Sequence, residues 1–262
     1  NLAQRALKNS GKPLWSLGPV IHNPQVVDFL SGQGLHVVND LEQIGEGTIV
    51  ISSHGVSPAI IGKARARGLG IIDATCPYVK KAQSRASDLV DDGYSLVVVG
   101  DRDHREVRGI LEHVAVPTWV IQVPQDLKQI KPTGKIGVVV QTTQSPTFLG
   151  EVVSALTALT AELKVFNTIC DATMKKQEAA RELSERADIM LVVGGRNSAN
   201  TTRLAEICGY SGTPTHHIEV SAEIDAEWFS GEDLVGITSG ASTPDWILAE
   251  VTETLREISS AK

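Results

Sequence analysis

The sequence predicts an α/β protein built from three similar small units, each with a mainly parallel sheet. Two observations predict this class: short apolar runs alternate with helical stretches along the whole chain, and one strand–turn–helix pattern occurs three times. The apolar runs are rich in β-branched residues and do not alternate with polar ones. That composition is typical of parallel strands that are buried on both faces.

Two markers define the repeat. The first is an apolar run that ends in glycine, at Gly18, Gly100 and Gly194. The second is a β-branched run followed by a polar turn and a Ser/Thr-Pro pair, which occurs at Ser57-Pro58, Ser145-Pro146 and Thr243-Pro244. Serine or threonine before proline is a helix N-cap with proline at the first helical position. Because helix N-termini attract anions, we expect the three units to pack tightly around a shared anion site.

The spacing of the cysteines divides the chain. From Cys76 to Gly100 there are 24 positions, and from Cys170 to Gly194 there are again 24. We therefore predict units at residues 1–75, 76–169 and 170–262, with the N-terminal part of the first unit missing. The equivalent cysteine of the first unit would precede residue 1. No initiator methionine is present, and the first residues have the pattern of a helix without a cap, so we expect a truncated chain.

Composition excludes several classes of protein. The 262 residues are 42% hydrophobic with a net charge of −7 and no long basic run, which argues against nucleic-acid binding. No apolar run is long enough to span a membrane, and no leader is apparent, so we expect a cytoplasmic protein without a membrane partner. Three unpaired cysteines leave metal binding, nucleophilic catalysis or burial as their roles.

Polar residues recur at equivalent strand ends. His22 and His104 each lie four residues after the glycine of their unit, and His54 lies in the polar turn of the first. The corresponding turns of the later units hold Thr142, Ser198, Asn200 and Ser242. Imidazole, hydroxyl and amide donors at helix N-termini form a good cradle for a phosphate or diphosphate. The remaining histidines fall outside these turns and are interpreted as structural or surface residues: His36, His113, His216 and His217.

One acid and two thiols complete the candidates. Glu106 lies near enough to His104 to deliver a proton, or it is a first-turn carboxylate favoured by the helix dipole; the spacing leaves both open. Cys76 and Cys170 lie at strand-to-helix junctions, where the thiolate is favoured and an iron–sulfur cluster or a metal could be held, although burial is the alternative. Cys208 lies within a helical stretch, out of phase with the repeat, and is interpreted as inert core.

These motifs resemble the LytB family, the 4-hydroxy-3-methylbut-2-enyl diphosphate reductases. The resemblance spans nearly the whole chain and rests on the following segments: Leu17-Gly18-Pro19-Val20-Ile21-His22-Asn23-Pro24, Ser53-His54-Gly55-Val56, Asp73-Ala74-Thr75-Cys76-Pro77, His104-Arg105-Glu106-Val107, Gln141-Thr142-Thr143-Gln144, Thr168-Ile169-Cys170, Gly195-Arg196-Asn197-Ser198-Ala199-Asn200 and Ser239-Gly240-Ala241-Ser242-Thr243-Pro244-Asp245.

The resemblance implies a trefoil of three α/β domains around a central cavity, with an iron–sulfur cluster, usually [4Fe–4S], held by three cysteines. Cys76 and Cys170 would be two of them. Thr142 would position the substrate hydroxyl, and Glu106, beside His104, would relay the proton that lets it leave as water. Two electrons from ferredoxin or flavodoxin would yield isopentenyl and dimethylallyl diphosphate. The diphosphate would be bound by His22, His54, His104, Ser198, Asn200 and Ser242.

Three departures from the family pattern follow. Its first cysteine is absent from this chain, Arg105 replaces a usual proline, and Ala199 stands where serine is common. A cluster held by two thiolates would be labile, so we expect that this chain could lack the cluster. Two other hypotheses are a cluster-free module that binds diphosphates without turnover and a hydrolase or transferase with Cys76 as nucleophile.

Overall fold

The computed structural model describes residues 2–9, 12–131 and 133–261. It contains three separate parallel sheets with helices between successive strands, which confirms the predicted α/β class. The chain divides into two compact units. One consists of Asn1–Ile21 with Val27–Cys170 and holds two sheets, whereas the other consists of His22–Val26 with Asp171–Lys262 and holds the third. The three-domain division and the trefoil arrangement stay predictions.

The first sheet has four strands in the order β2-β1-β3-β4, all parallel. The strands are β1 (Leu14–Leu17), β2 (Leu35–Val38), β3 (Thr48–Ile51) and β4 (Gly70–Asp73). The helices of this part of the chain are α1 (Leu2–Asn9), α2 (Pro24–Gly32) and α3 (Pro58–Ala66), with a 3₁₀ turn at Leu41–Gln43. Its core is made of aliphatic side chains that include Ile44, Ile49 and Ile51, each at most 1% exposed.

The second sheet has the same topology, in the order β6-β5-β7-β8. Its strands are β5 (Ser95–Val99), β6 (Trp119–Ile121), β7 (Thr133–Val140) and β8 (Thr160–Val165), and its helices are α4 (Pro77–Asp91), α5 (Arg105–Val114) and α6 (Pro146–Leu156), with a 3₁₀ turn at Pro124–Gln129. The apolar runs of the two central strands, residues 97–99 and 138–140, are fully buried. This is the burial that an unalternated β-branched run predicts.

The third sheet has three strands in the order β10-β9-β11. They are β9 (Ile189–Val193), β10 (Thr215–Ile218) and β11 (Val235–Ser239), and the helices are α7 (Asp171–Ser184), α8 (Ala199–Tyr210) and α9 (Asp245–Ala261), with 3₁₀ turns at Ser221–Glu223 and Ala226–Trp228. Two histidines have structural contacts here, as predicted. His216 stacks on Trp228 with ring centroids 3.8 Å apart, and Nε2 of His217 lies 2.9 Å from the Gly194 carbonyl oxygen.

The predicted Ser/Thr-Pro helix caps differ among the three repeats of the sequence. Ser57 and Ser145 are the N-caps of α3 and α6, and only Ser145 accepts a side-chain hydrogen bond, from the Phe148 N–H at 3.4 Å. At the third site the prediction is wrong in detail, because α9 begins at Asp245, after Pro244. Thr243 instead donates its hydroxyl to the Val193 carbonyl at 2.9 Å, which ties the turn to the end of β9.

Candidate active site

In the compact unit that holds the first two sheets, one carboxyl is almost fully buried, that of Glu106. Its side chain is 1% exposed and accepts two hydrogen bonds from Thr142: the backbone N–H binds Oε1 at 2.7 Å, and the hydroxyl binds Oε2 at 2.8 Å. Burial raises the pKa of Glu106 to about 7, although both hydrogen bonds act to lower it. Burial against Thr142 is not the setting of a solvated first-turn carboxylate, so the structure favours a functional acid.

Local chain geometry fixes both partners of this acid. His104 is the N-cap of α5, and its Nδ1 accepts the Glu106 N–H at 3.2 Å, so Glu106 lies in the first helical turn. Thr142 follows the end of β7, and Gln141 between them donates its N–H to the Val99 carbonyl of the neighbouring β5 at 2.9 Å. The two residues meet because the carboxyl ends of adjacent parallel strands lie at one edge of a sheet.

Two predicted histidines lie together in this unit. The rings of His54 and His104 are half-buried and meet edge to face, with centroids 5.4 Å apart. Nδ1 of His104 accepts the Glu106 N–H, so this ring nitrogen is engaged at the start of α5.

The two predicted ligand cysteines lie at the starts of helices, Cys76 after β4 and Cys170 after β8. Cys76 is the N-cap of α4, and its N–H donates to the Ser53 carbonyl at 3.0 Å. Cys170 directly precedes α7, and its N–H donates to the Thr142 carbonyl at 2.9 Å. Both thiols are free and half-buried. The Thr142 hydrogen bond therefore connects one predicted ligand directly to the residue that holds the buried acid.

The third cysteine is confirmed as core. Cys208 is fully buried within an apolar cluster that includes Met190 and Leu204, and its thiol lies 3.8 Å from the Ala180 carbonyl. Burial raises the pKa of the Cys208 thiol to about 11. A thiol in this environment is neither a metal ligand nor a nucleophile at neutral pH.

The compact unit that holds the third sheet carries the remaining predicted donors. Ser198 is the N-cap of α8 and accepts the Thr201 N–H at 3.4 Å, and Asn200 lies in the first turn of that helix. Ser242 donates its hydroxyl to the His22 carbonyl at 3.4 Å. A Cβ added to Gly195 would lie 2.8 Å from that same carbonyl, so the glycine permits the close approach of the two segments.

Two buried amides of this unit have hydrogen-bonding capacity that no described residue fills. Asn200 is 6% exposed, and neither its Oδ1 nor its Nδ2 has a partner. Asn23 is 1% exposed; its Oδ1 accepts the Val26 N–H at 3.0 Å, whereas its Nδ2 is unpartnered. Because buried polar atoms are almost always paired with protein, ligand or ordered water, both amides have room for a further polar partner. Sequence reasoning missed Asn23; its position between a predicted site histidine and a helix-starting proline was the available signal.

The residues of each unit therefore form pairs. The structure joins Glu106 with Thr142, His54 with His104, Thr142 with Cys170, and Ser242 with His22. In the part of the chain that the structure describes, none of the helices is both long and apolar enough to cross a membrane.

The structure combines three parallel sheets with a buried acid at the strand ends and free thiols at helix N-termini, which defines an α/β protein with a candidate enzyme site. The sequence profile of the LytB protein family matches residues 1–256, and the chain belongs to that family. It is similar to the 4-hydroxy-3-methylbut-2-enyl diphosphate reductases of Geobacter sulfurreducens, with 47% identity over 261 residues, and of Pelobacter propionicus, with 49% over 257. These alignments cover 100% and 97% of this chain, and 92% of each relative.

Solved structures give the same result. A structure of (E)-4-hydroxy-3-methyl-but-2-enyl diphosphate reductase, the terminal enzyme of the non-mevalonate pathway, matches with a TM-score of 0.73 and 39% identity, over 98% of this chain and 92% of that one. The E-1-hydroxy-2-methyl-but-2-enyl-4-diphosphate reductase of Plasmodium falciparum matches with a TM-score of 0.89 and 25% identity, over 98% and 81%. None of these matches supports the expected truncation by itself, and the upstream cysteine stays a prediction.

Proposed function

We propose that this chain reduces 4-hydroxy-3-methylbut-2-enyl diphosphate to isopentenyl and dimethylallyl diphosphate, the last step of the non-mevalonate pathway. Its relatives are named as reductases of this diphosphate, and one observation on this chain supports the chemistry most directly. The buried Glu106, with its pKa raised to about 7, holds a proton that it can release near neutral pH. An acid is most useful as a proton donor when its pKa lies close to the working pH.

The Glu106–Thr142 pair suits the removal of a hydroxyl group. Thr142 Oγ1 donates its hydrogen to Glu106 Oε2 at 2.8 Å, which leaves the lone pairs of the threonine oxygen to accept from a substrate hydroxyl. When protonated, Glu106 can return a proton through Thr142 to that hydroxyl. The C–O bond then breaks, two electrons enter, the oxygen leaves as water, and a second proton forms the new C–H bond.

The histidines and the polar residues of the second unit supply the donors that a diphosphate needs. We assign diphosphate binding to His22, His54, His104, Ser198, Asn200 and Ser242, as the family resemblance implies. The unfilled amide of Asn200 supports the assignment, since a phosphate oxygen would accept from its Nδ2.

Two thiols of this chain fit an iron–sulfur cluster. Cys76 and Cys170 are free, half-buried and located at helix N-termini, whereas the buried Cys208 does not fit. A [4Fe–4S] cluster bound there would pass electrons to the allylic C–O bond. The electron donor would be a ferredoxin or flavodoxin. The third thiolate of the family would lie upstream of residue 1.

The test is anaerobic reconstitution with iron and sulfide, followed by assay of isopentenyl and dimethylallyl diphosphate formation with a reduced ferredoxin. We expect turnover and brown colour in the chain extended by the predicted upstream cysteine. Glu106→Gln should retain iron and lose turnover by about two orders of magnitude or more. Cys76→Ser and Cys170→Ser should lose iron, and Cys208→Ala, the matched control, should keep it. If Cys76→Ser and Cys170→Ser both keep the cluster, the ligand assignment is wrong.

The second candidate is a cluster-free module that binds diphosphates. Its support is that Cys208 is unavailable, so this chain supplies only two suitable thiols. This alternative predicts a colourless protein after reconstitution that still binds 4-hydroxy-3-methylbut-2-enyl diphosphate by calorimetry and loses that binding on Asn200→Leu. A brown protein with turnover rejects it.

A further inference from the structure

A cavity of about 200 Å³ lies in the compact unit that holds the first two sheets. None of the residues assigned above to catalysis, diphosphate binding or metal binding lines it. It is instead lined by residues at the ends of three strands of the first sheet and by residues of α5, which include Leu17, Ser52 and Gly109. It is therefore a separate feature, and its own lining must indicate what it could bind.

The position of the cavity in the sheet is one that favours ligands. In the order β2-β1-β3-β4, the chain runs from β1 to β2 on one side of β1 and then crosses to β3 on the other side. The strand order therefore reverses between β1 and β3, which flank the switch point of the sheet. Gly18 follows β1, Asn39 follows β2 and Ser52 follows β3, and all three line the cavity. Open α/β sheets bind ligands in the crevice at this point.

One wall of the cavity is cationic. Arg105 and Arg108, both from α5, line it, and Arg108 is held by an ion pair with Asp103 at 2.9 Å. Arg105 is half-buried and forms no ion pair or side-chain hydrogen bond with any described residue. Its guanidinium packs against Gly18, where an added Cβ would overlap it. Glu112 is the acidic residue of the lining and pairs with neither arginine. Burial and the charge of Arg108 lower the pKa of Arg105, which an anion between them would reverse.

Three apolar side chains also line the cavity, those of Leu17, Val56 and Ile60. Gly55 and Gly109 line it as well, and the amide of Gln83 lies close to both glycines. Its Nε2 lies 3.1 Å from where a Cβ on Gly55 would be and 3.2 Å from that of Gly109. Gln83 is 7% exposed, and its Nε2 has no partner among the described residues. Gln83 is not itself a lining residue, and its unpartnered donor lies beside two glycines that are.

We propose that this cavity binds a small amphiphilic anion, with a phosphate or diphosphate head on Arg105 and Arg108 and a short branched hydrocarbon tail against Leu17, Val56 and Ile60. The arginine fork suits phosphate oxygens. A cavity of about 150 Å³ accommodates six carbon atoms, so this one takes a tail of about five carbons with the head towards its mouth. The products of the proposed reaction belong to this class, and in that respect the inference rests on the proposed function. The cavity would then be a second site for product.

The test is isothermal calorimetry of the full chain with isopentenyl diphosphate. We expect two sites per chain, of which Asn200→Leu removes one and Arg105→Gln the other. In the Asn200→Leu protein, Arg105→Gln should weaken the remaining site about tenfold or more, because it removes charge-assisted hydrogen bonds. The matched control is Arg102→Gln, which removes the same charge from an exposed residue outside the lining and should leave affinity unchanged. Inorganic diphosphate should bind this site more weakly than isopentenyl diphosphate does.

Amide hydrogen exchange locates the site without a variant. Isopentenyl diphosphate should slow exchange at residues 17–18 and 52–56 of the wild-type chain. The proposal would be overturned if Arg105→Gln left the affinity of the cavity for isopentenyl diphosphate unchanged. It would also be overturned if the cavity bound inorganic diphosphate as tightly as isopentenyl diphosphate. If Arg105→Gln removes a site and Asn200→Leu removes none, this proposal stands and the proposed diphosphate site is wrong; the reverse outcome rejects only this proposal.

Discussion

Replacement of Glu106 by glutamine should change how stability depends on pH. Burial raises the pKa of this carboxyl from 4.5 to about 7, so between these values the folded protein holds a proton that the unfolded chain has lost. The free energy of unfolding of the wild type therefore falls as the pH rises through this interval. A gap of this size corresponds to about 3 kcal/mol, at 1.36 kcal/mol per pKa unit. Glu106→Gln has no proton to lose and lacks this fall.

The measurement is denaturant unfolding of both proteins at several values between about pH 4 and about pH 8. Relative to Glu106→Gln, the wild type should lose about 3 kcal/mol of stability across the range. The loss should begin above the pKa of Glu106 in the unfolded chain and be complete above its pKa in the folded protein. Glu151→Gln, which removes an exposed carboxylate from α6, should follow the wild-type curve. Parallel curves for wild type and Glu106→Gln would refute the assignment of a buried, protonated carboxyl.

Three further outcomes test the same structure. Thr142→Val removes the hydroxyl that donates to Glu106, so the pKa of Glu106 should rise further, by about one unit, in a carboxyl-carbon NMR titration; a lower pKa would contradict the hydrogen-bond geometry. Gly18→Ala should lower the free energy of unfolding by about 1–3 kcal/mol in urea, because φ of Gly18 is +70° and the added methyl group overlaps the Arg105 guanidinium. In an Arg105→Ala background the overlap is removed and only the backbone strain remains. An equal loss of stability in both backgrounds would show that the contact is absent. Cys208, with its pKa raised to about 11, should stay unmodified by iodoacetamide at neutral pH while the two other thiols react, as read by mass spectrometry; early labelling of Cys208 would contradict its burial.

Much of the fold could be predicted because its signals are local and repeated. The unalternated β-branched runs identified the buried central strands, and the glycine-ended and proline-started segments identified the turns at their carboxyl ends. Because parallel strands bring those ends to one edge, the pattern also grouped the candidate site residues. The cap at Thr243 was mispredicted since its hydroxyl has a competing acceptor, the Val193 carbonyl, which is distant in sequence.

The family resemblance and the internal repeat identified the candidate site residues, but they did not determine the burial or the contacts of these residues. Spacing placed Glu106 near a helix N-terminus, where a solvated carboxylate and a buried acid have the same sequence pattern. The contact with Thr142, 36 positions away, decides between them. Likewise, the isolation of Cys208 depends on the apolar side chains packed around it.

What the sequence by itself determined is the α/β class, the order of strands and helices, and the residue types gathered at the strand ends, since these follow from hydrophobic periodicity and turn chemistry. Only the tertiary structure decided the burial of Glu106. It also decided that, among the described residues, the amides of Asn23 and Asn200 have unfilled hydrogen-bonding capacity and the Arg105 guanidinium has no ion-pair partner. The physical reason is that desolvation and hydrogen-bond partnership depend on neighbours that are distant along the chain, and no local pattern encodes them.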